Sequence, residues 1–418
     1  MPHFLYTLLL FVALPFVPLK LLWRGIKQPE YLQHWGERFG FYTIKPTKPV
    51  IWLHCVSVGE TRAAAPLVRT LLAQYPQYQL LLTHTTPTGR ATSQQLFGQE
   101  VMRVYLPYDV PFAVRNFVKY FAPRIALIME TELWFNLIDA CHRQGVPQLL
   151  LNARLSAKSA KGYAKLGGLV HKGLSKLALI AAQSHDDETR FKLLGASNTM
   201  VAGNLKFDAT APADSKALGL QLRALLGTQR VVLIAASTRE GEEPMILDAV
   251  QGLDLLTVIV PRHPQRFDEV EALLKSRNIA YVRRSRMQDS IAPNIQVVLG
   301  DSMGELYTYY AAGDMAFVGG SLLKFGGQNL IEAASMGKPI LIGKYTYNFT
   351  EATKGAVQSG AASQVRDVQH LREKLQVLIE SPSKREKMGQ AALNFSQAST
   401  GTTVRMMHTI GEYLQARG

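Results

Sequence analysis

The sequence is poor in cysteine: Cys55 and Cys141 are the two in 418 residues. They lie in apolar surroundings far apart along the chain, so we expect two buried free thiols in a reducing compartment rather than a disulfide framework. No Cys and His spacing is typical of a metal site. The sequence therefore predicts a protein that depends on neither disulfides nor a bound metal.

Acidic residues are scarce relative to basic ones, with 32 Asp and Glu against 46 Lys and Arg and a net charge of +14. Such a surplus indicates an anionic partner, which is a nucleic acid, an anionic substrate or an anionic membrane. The charges are spread along the chain without a run of five like charges, and no RNA- or DNA-binding signature is present. We therefore expect no nucleic-acid partner.

The apolar run at the N-terminus is short for a membrane-spanning helix. Residues 4–23 are apolar until Lys20, slightly short of the ~20 residues that a spanning helix needs, and Pro15 and Pro18 would break the last turns. The run lacks the basic start and the cleavage site of a secretory signal. We predict that residues 1–24 are a membrane anchor, interfacial or barely spanning, with the rest of the chain on the cytoplasmic side. A buried first helix is the alternative.

The length favours two domains, because single hydrophobic cores rarely grow beyond roughly 250 residues. Near-continuous apolar runs alternate with helical stretches, which predicts doubly wound α/β domains with parallel strands. A stretch rich in Ala, Asp and Pro, residues 204–216, separates two such series, so we predict domains at 25–208 and 209–418, the last helix being free to pack on the first. The predicted strands cover residues 50–57, 80–85, 101–107, 124–129, 147–153, 177–183, 230–237, 255–260, 295–300, 314–320 and 338–343.

Three strand ends in the second half combine small polar residues, cations or glycines with a helix start, where free N–H groups and the helix dipole favour a phosphate. The helix after the first is expected near Gly241, and Asp301 or Ser302 is expected to cap the third, with Gly304 and Glu305 in its first turn. Taken alone, Arg262 fits a surface ion pair as well as a phosphate. The nucleotide-binding candidates at these ends are Ser237, Thr238, Pro261, Arg262, His263, Met303 and Gly304.

A fourth strand end is richer in glycine. Gly319 and Gly320 are followed by Gly326 and Gly327 and then by a predicted helix that carries Asn329 and Glu332. Paired glycines let a backbone approach a ligand closely. Asn329 and Glu332, three residues apart, would share one helix face, where a carboxylate can accept both hydroxyls of a ribose. An ordinary turn before a helix is the alternative.

Several motifs in the same order resemble the 3-deoxy-D-manno-octulosonic acid (Kdo) transferases of Gram-negative lipopolysaccharide synthesis, glycosyltransferase family 30. The resemblance implies a GT-B glycosyltransferase fold, with two Rossmann-like domains facing across a cleft. It also implies transfer of Kdo from CMP-Kdo to the 6′-hydroxyl of a lipid A precursor (lipid IVA), with inversion, at the cytoplasmic face of the inner membrane. The motifs are "HWGERFG", "HCVSVGE", "METELW", "NARLS", "VPRHPQRF", "GDSMGELYTYYAAGDMAFVGGSL" and "GGQNLIEAASMGKP".

In this resemblance Glu60 matches the catalytic base, which accepts the proton of the attacking 6′-hydroxyl. A carboxylate beside a helix N-terminus stays ionised, and because the same dipole lowers its basicity, we expect desolvation by the acceptor to raise it again. A capping carboxylate without a chemical role is the alternative.

The resemblance assigns the remaining residues to the two substrates. Either Glu130 or Glu132 would contact Kdo or the acceptor, and Lys206 would reach the donor. Arg262 would bind the CMP phosphate. The acceptor and Kdo group is Glu130, Glu132, Asn152 and Arg154; the nucleotide loops add Gly326, Gly327, Asn329 and Glu332 to the residues above.

We expect the transfer to need no metal. Some nucleotide-sugar transferases hold a divalent cation with an Asp-x-Asp motif, but residues 184–188, "SHDDE", fit a helix start better. Helix termini and Arg262 would then stabilise the departing CMP. Two other functions remain open: a GT-B enzyme that uses a UDP-sugar, and a membrane-tethered binding protein without catalysis. Replacement of Glu60 distinguishes an enzyme from the binding protein, because only an enzyme would lose its function.

Overall fold

The structure is a computed structural model that describes residues 1–208 and 211–416. The chain forms two compact units, one of residues 1–209 with 400–418 and one of residues 210–399. Residues 209–210 and 417–418 lie outside the described residues. The predicted boundary after residue 208 is next to the first pair, and the predicted domain 209–418 ends in the second.

Parallel strands form the sheet of the first unit. These are β1 (Val50–His54), β2 (Gln79–His84), β3 (Met102–Tyr105), β4 (Ile125–Met129), β5 (Gln148–Ala153), β6 (Leu179–Ala182) and β7 (Thr199–Val201). Their order is β3-β2-β1-β4-β5-β6-β7. Along β1, Val50 and Trp52 join one apolar cluster and Ile51 and Leu53 another, so both faces of the sheet are covered, as the continuous apolar runs predict.

Helices follow most of these strands and supply the covering layers. They are α1 (His3–Ala13), α2 (Phe16–Lys27), α3 (Trp35–Arg38), α4 (Val58–Ala63), α5 (Ala65–Gln74), α6 (Pro87–Phe97), α7 (Pro111–Phe121), α8 (Phe135–Arg143), α9 (Ala157–Ala164), α10 (Gly168–Leu174) and α11 (His185–Leu193). Helix α11 starts at the Ser184 cap, which accepts the Asp187 N–H, so the prediction that "SHDDE" begins a helix is confirmed.

The first two helices are separated by a bend of 53°. Within residues 1–208 and 211–416 no single helix is long and apolar enough to cross a membrane, whereas α1 and α2 pass that test as a bent pair. Helix α1 has no buried residue, so it is not a buried first helix. It docks on its unit through hydrogen bonds and one ring contact: the Tyr6 hydroxyl donates to Asp109 at 2.7 Å, the Thr7 hydroxyl donates to Asn136 at 2.9 Å, and the Tyr6 ring packs edge-on against Phe135.

The second unit repeats the plan with the strands β8 (Val231–Thr238), β9 (Leu255–Pro261), β10 (Tyr281–Arg283), β11 (Val297–Leu299), β12 (Met315–Val318), β13 (Ile340–Ile342) and β14 (Ala362–Gln364). These strands are parallel in the order β10-β11-β9-β8-β12-β13-β14. Its helices are α12 (Ser215–Leu226), α13 (Glu242–Val250), α14 (Phe267–Ser276), α15 (Leu306–Ala312), α16 (Ile331–Ser335), α17 (Thr350–Gln358), α18 (Val368–Glu380) and α19 (Pro382–Ser399).

The last helix, α20 (Thr402–Gln415), belongs to the first unit. The Asp208 carboxylate accepts the backbone N–H groups of Thr402 and Thr403 at its start. Its buried face, including Met406 and Ile410, joins the cluster that contains Leu53 of β1.

The prediction of two doubly wound α/β domains with parallel sheets is confirmed. Three strands were missed, namely β7, β10 and β14, and each has three residues and lies at the edge of its sheet. An edge strand of this length buries little apolar surface, so it leaves no periodic apolar pattern to read.

Each sheet contains a point where the chain reverses its direction of travel across the strands. In the first unit this switch point lies between β1 and β4, and in the second between β8 and β12. Loops leaving the two neighbouring strands at such a point diverge and open a crevice, which is where doubly wound sheets bind their ligands. The residues that follow these four strands are therefore the candidates for ligand binding.

Two helical glycines of the first unit test the packing. A Cβ on Gly173 in α10 would lie 2.7 Å from the Phe135 ring, whereas one on Gly162 in α9 would meet nothing within 4 Å. We expect Gly173→Ala to destabilise the protein by about 1–3 kcal/mol through overpacking, and Gly162→Ala to stabilise it by up to ~1 kcal/mol through helix propensity. Urea unfolding measures both, and equal effects would contradict this packing.

Candidate active site

Glu60 is the third residue of α4, the helix that follows β1. The Glu60 N–H donates to Ser57 Oγ at 3.3 Å, the Ser57 hydroxyl donates to Glu60 Oε1 at 2.8 Å, and the Val56 N–H donates to Oε2 at 2.8 Å. This reciprocal arrangement is a capping box. Glu60 therefore does cap α4, and the same contacts hold its carboxylate, 9% exposed, in one orientation.

Burial raises the pKa of Glu60 above its ordinary value, although the Val56 N–H and the Ser57 hydroxyl oppose the rise. The negative charge of Glu130 adds to it, and the ammonium of Lys206 reduces it. We expected desolvation to raise the pKa of Glu60 only on acceptor binding, whereas burial within the unit already raises it, because desolvation outweighs the stabilising donors. A raised pKa makes a carboxylate a better proton acceptor.

Glu130 and Glu132 follow β4, the strand paired with β1. Glu130 has a φ of 56°, a left-handed conformation that costs a non-glycine residue about 1–3 kcal/mol and that is enriched at functional sites. Burial raises the pKa of Glu132 to about 7, with the charges of Glu60 and Glu130 adding to the effect and the Trp134 indole opposing it. Three carboxylates thus interact electrostatically at the switch point of the first unit.

The other predicted residues of the first unit have different surroundings. Asn152, with a φ of 53°, is fully buried, and its Oδ1 accepts the Leu205 N–H at 3.1 Å. It holds the segment that carries Lys206, whose charge acts on Glu60. Arg154 is exposed, and its backbone oxygen accepts the Thr131 hydroxyl. The structure therefore brings Glu60, Glu130, Glu132 and Lys206 into one electrostatic group, with Asn152 in a supporting position.

Ser237 and Thr238 are the last two residues of β8, and their surroundings differ. Ser237 has a φ of 55°, the same strained conformation as Glu130. Thr238 is fully buried and its hydroxyl donates to Glu243 at 2.6 Å, and Glu243 also binds both Nη atoms of Arg266 at 2.5 and 3.0 Å. The Thr238 side chain is therefore committed to the interior of the unit.

The helix predicted near Gly241 begins at Glu242, so that prediction is confirmed. Its first turn contains Glu242 and Glu243, both fully buried. Neither residue was among the predicted site residues, although an acidic pair at a helix start after a polar strand end is visible in the sequence.

Arg262 and Glu332 lie close enough to interact. Burial raises the pKa of Glu332, while the hydrogen bond from Asn329 and the charge of Arg262 lower it. The Asn329 amide donates to Glu332 at 3.1 Å, and its oxygen accepts the Ile331 N–H at 3.1 Å. Asn329 thus precedes α16 and lies outside that helix, contrary to the prediction, because its side chain supplies the turn that starts it.

Tyr307 also belongs to this group and was missed. Burial raises the pKa of its hydroxyl, and the charge of Glu332 adds to the rise. Pro261 is the buried last residue of β9, and Arg262 and His263 after it are exposed. The neighbourhood of Glu332 therefore offers a cation, an amide and a phenol around one carboxylate.

The loop with Met303 and Gly304 differs from its prediction. Helix α15 begins at Leu306 with no side-chain cap. Asp301 instead accepts the Ser285 N–H at 2.9 Å, and the Ser302 hydroxyl donates to Glu305 at 2.5 Å. Asp301 ties two loops together rather than capping a helix. Met303 is 60% exposed, and Gly304 has a φ of 83° with nothing within 4 Å of a Cβ.

Gly326 is packed against the side chains of Tyr347 and Asn348. A Cβ on it would lie 2.4 Å from the Asn348 side chain, and its carbonyl accepts the Asn348 N–H at 2.9 Å. Gly327 has a φ of 78° and donates its N–H to the Gly320 carbonyl at 2.6 Å. These glycines shape the loops after β12, and Gly327 joins its loop to Gly320.

A metal site is not evident within residues 1–208 and 211–416, where no group of three or more His, Cys, Asp or Glu side chains could hold an ion. Cys55 and Cys141 are both buried and unbonded, as predicted.

Comparison with known proteins bears on the class of this protein. A family model described as 3-Deoxy-D-manno-octulosonic-acid transferase (kdotransferase) matches residues 33–209, and one described as Glycosyl transferases group 1 matches residues 281–395. A glycosyltransferase structure from Rickettsia africae has a TM-score of 0.59 over 89% of this chain and 100% of that one, at 13% identity, which shows a shared fold. The two units are those of a GT-B glycosyltransferase.

Two curated relatives are more similar in sequence. The 3-deoxy-D-manno-octulosonic acid transferase of Bordetella pertussis is 40% identical over 390 residues, 90% of this chain and 90% of the relative. The transferase of the same name from Haemophilus influenzae is 37% identical over 423 residues, 99% of both chains. The chain belongs to the 3-deoxy-D-manno-octulosonic acid transferase family.

The raised pKa of Glu132 predicts how a substitution depends on pH. Above pH 7 the folded state holds an ionised, desolvated carboxylate, whereas in the unfolded chain the group ionises near 4.5. The destabilisation is absent at low pH and complete above 7. We expect Glu132→Gln to raise the Tm at pH 8 by about 2–4 °C and to have a smaller effect at pH 5.

Glu188→Gln is the control of opposite sign. Hydrogen bonds from Lys192 and Thr199 lower the pKa of Glu188, so its loss should reduce the Tm at pH 8. Scanning calorimetry at the two pH values measures both variants. An effect of Glu132→Gln that is equal at pH 5 and pH 8 would contradict the raised pKa of Glu132.

Proposed function

We propose that this chain transfers Kdo from CMP-Kdo to the 6′-hydroxyl of a lipid A precursor (lipid IVA), with inversion at the anomeric carbon. The observation that carries the proposal is the position of Glu60 at the switch point of the first unit, oriented by Val56 and Ser57, in a chain of this family. The first unit would bind the acceptor and the second the CMP-Kdo donor.

Glu60 is the general base of the proposed reaction. Its carboxylate accepts the proton of the 6′-hydroxyl as that oxygen bonds to the anomeric carbon, and the bond from that carbon to the CMP phosphate oxygen breaks. The Val56 N–H and the Ser57 hydroxyl fix the carboxylate without replacing it as an acceptor. Glu130, Glu132, Arg154 and Lys206 would bind Kdo and the acceptor, and Asn152 supports the segment of Lys206.

The second unit would bind the nucleotide. Arg262, near Glu332, would neutralise the phosphate of the departing CMP, and Glu332 would accept the ribose hydroxyls. The loops of Ser237, Met303 and Gly304 and of Gly326 and Gly327 would enclose the remainder. We propose that the reaction needs no divalent metal, because a side-chain cation can supply the positive charge that the leaving group requires.

Capping alone and catalysis make different predictions for Glu60. Asp187 provides a matched control, since it forms the same box with Ser184 and accepts the Leu155 N–H at 2.8 Å, and it is 5% exposed. We expect Glu60→Gln to lower kcat by at least about 100-fold, the range of general-base catalysis. Asp187→Asn should lose similar stability and keep its turnover. The rate of CMP release, measured in EDTA, tests both points.

A similar loss of kcat in the two variants would reduce Glu60 to a structural cap. Turnover abolished by EDTA and restored by magnesium would refute metal independence without affecting the assignment of the base.

We propose also that α1 and α2 attach the chain to the cytoplasmic face of the inner membrane. Their outward surface exposes Phe16, Leu19 and Ile26 by 62–81%, and the exposed cations Lys20 and Arg24 lie on the same segment. Contiguous exposed apolar surface marks an interaction site, and neighbouring cations add attraction to anionic lipid. The docked face of α1 orients this surface relative to its unit.

Substitutions on the outward face test the attachment without disturbing the docked face. We expect the triple variant Phe16→Ser, Leu19→Ser and Ile26→Ser to reduce binding to phosphatidylglycerol vesicles by at least about tenfold, because three apolar side chains leave the lipid. The control is a triple variant with serine in place of Leu193, Leu220 and Val404, which are 72–81% exposed and lie outside α1 and α2. Cosedimentation measures both, and equal losses would contradict the proposal, whereas turnover of detergent-dispersed acceptor should change little.

A further inference from the structure

The carboxylate of Glu242 joins two strand ends at the switch point of the second unit. Its Oε2 accepts the N–H of Arg239, after β8, at 2.9 Å and the N–H of Gly320, after β12, at 2.5 Å. Its Oε1 accepts the N–H groups of Ser321 and Leu322 at 2.9 Å each. The side chain is fully buried, so water does not share these contacts.

Successive backbone N–H groups that converge on one point form an anion-binding nest. In many nucleotide-binding loops a phosphate fills such a nest. Here the chain supplies its own anion, so the N–H groups of residues 320–322 are already satisfied. The donor phosphate must then be bound by other groups, which agrees with the proposed role of Arg262.

The contacts of Glu242 also affect the loops proposed to bind the nucleotide. The Gly320 carbonyl accepts the Gly327 N–H at 2.6 Å, so the position of Gly320 sets that of the loop before Asn329. A Cβ on Gly319 would lie 2.6 Å from the Ser237 carbonyl, so the two strand ends are packed without spare room. A displacement of either end is therefore transmitted to the other.

We propose that Glu242 is a positioning residue for donor binding, which fixes the strand ends at Ser237–Arg239 and Gly320–Leu322 in the conformation that receives the CMP part of the donor. The inference rests on the proposed function, because it takes CMP-Kdo as the donor. Glu242 does not touch the nucleotide in this account. It acts through the backbone of the two loops.

If Glu242 had a purely structural role, its loss would lower stability without a specific effect on CMP binding. Asp314 provides the control for such a role. Asp314 accepts the Val232 N–H at 2.7 Å and pairs with Arg223 at 2.9 Å. It therefore ties the same strands, β8 and β12, at their amino ends, at the opposite edge of the sheet from the nucleotide loops. Loss of this contact should lower stability without changing the loops.

The experiment compares Glu242→Gln, Glu242→Asp and Asp314→Asn in the full chain. The amide of the Gln variant places a donor against N–H groups, leaving buried donors unsatisfied. We expect CMP binding, measured by calorimetry, to weaken by at least about tenfold in Glu242→Gln, less in the charge-retaining Glu242→Asp, and less than about twofold in Asp314→Asn. Hydrogen exchange of the amides at 320–322 should accelerate in the Glu242 variants alone.

The possible results are distinguishable. Unchanged CMP affinity in both Glu242 variants, or equal weakening in Asp314→Asn, overturns the positioning role and leaves the proposed function intact. Failure of the unaltered chain to bind CMP contradicts the proposed function and removes the basis of the positioning role with it. If Glu242→Gln does not fold, the comparison of Glu242→Asp with Asp314→Asn decides.

Discussion

Where a parallel strand ends, its backbone N–H groups lose their partners in the sheet. The need to satisfy these groups constrains the whole structure. Buried donors must be satisfied, and here acidic side chains do so repeatedly. Glu60 accepts the N–H of Val56, Asp187 that of Leu155, and Glu242 those of four residues. Each of these carboxylates lies in the first turn of a helix. Oriented, buried carboxylates thus lie at the carboxyl edge of each sheet, Glu60 and Asp187 in the first and Glu242 in the second.

This constraint explains how one residue can be both a cap and a base. The contacts that satisfy Val56 and Ser57 also prevent the Glu60 side chain from rotating, so its orientation is set before an acceptor binds. Burial and the neighbouring Glu130 raise its pKa, whereas the capping donors and Lys206 limit the rise. The balance leaves a carboxylate of increased basicity in a fixed position. Capping and catalysis are therefore compatible in Glu60, and in Asp187 only capping is expected.

Much of the fold could be predicted because long apolar runs such as 50–57 and 255–260 leave a clear pattern. The edge strands β7, β10 and β14 could not, since three residues carry no period. The helix containing Asn329 was misplaced because Asn329 hydrogen-bonds the following turn, a contact that spacing does not reveal. The interaction of Glu60 with Glu130 depends on the pairing of β1 with β4, which is a property of the topology. The acidic pair at Glu242 and Glu243 is visible in the sequence, but the contacts of Glu242 with Gly320, Ser321 and Leu322 span about 80 positions and depend on the topology as well.

The most direct test of the account is mass spectrometry of the products formed from CMP-Kdo and a tetra-acylated lipid A precursor by the detergent-solubilised chain. The account predicts that the acceptor gains mass in whole Kdo units, and the spectrum counts how many are added. A folded chain that leaves the acceptor unchanged with CMP-Kdo, and extends it only with a UDP-sugar, would contradict the proposed reaction and leave the family membership as a likeness of sequence and fold.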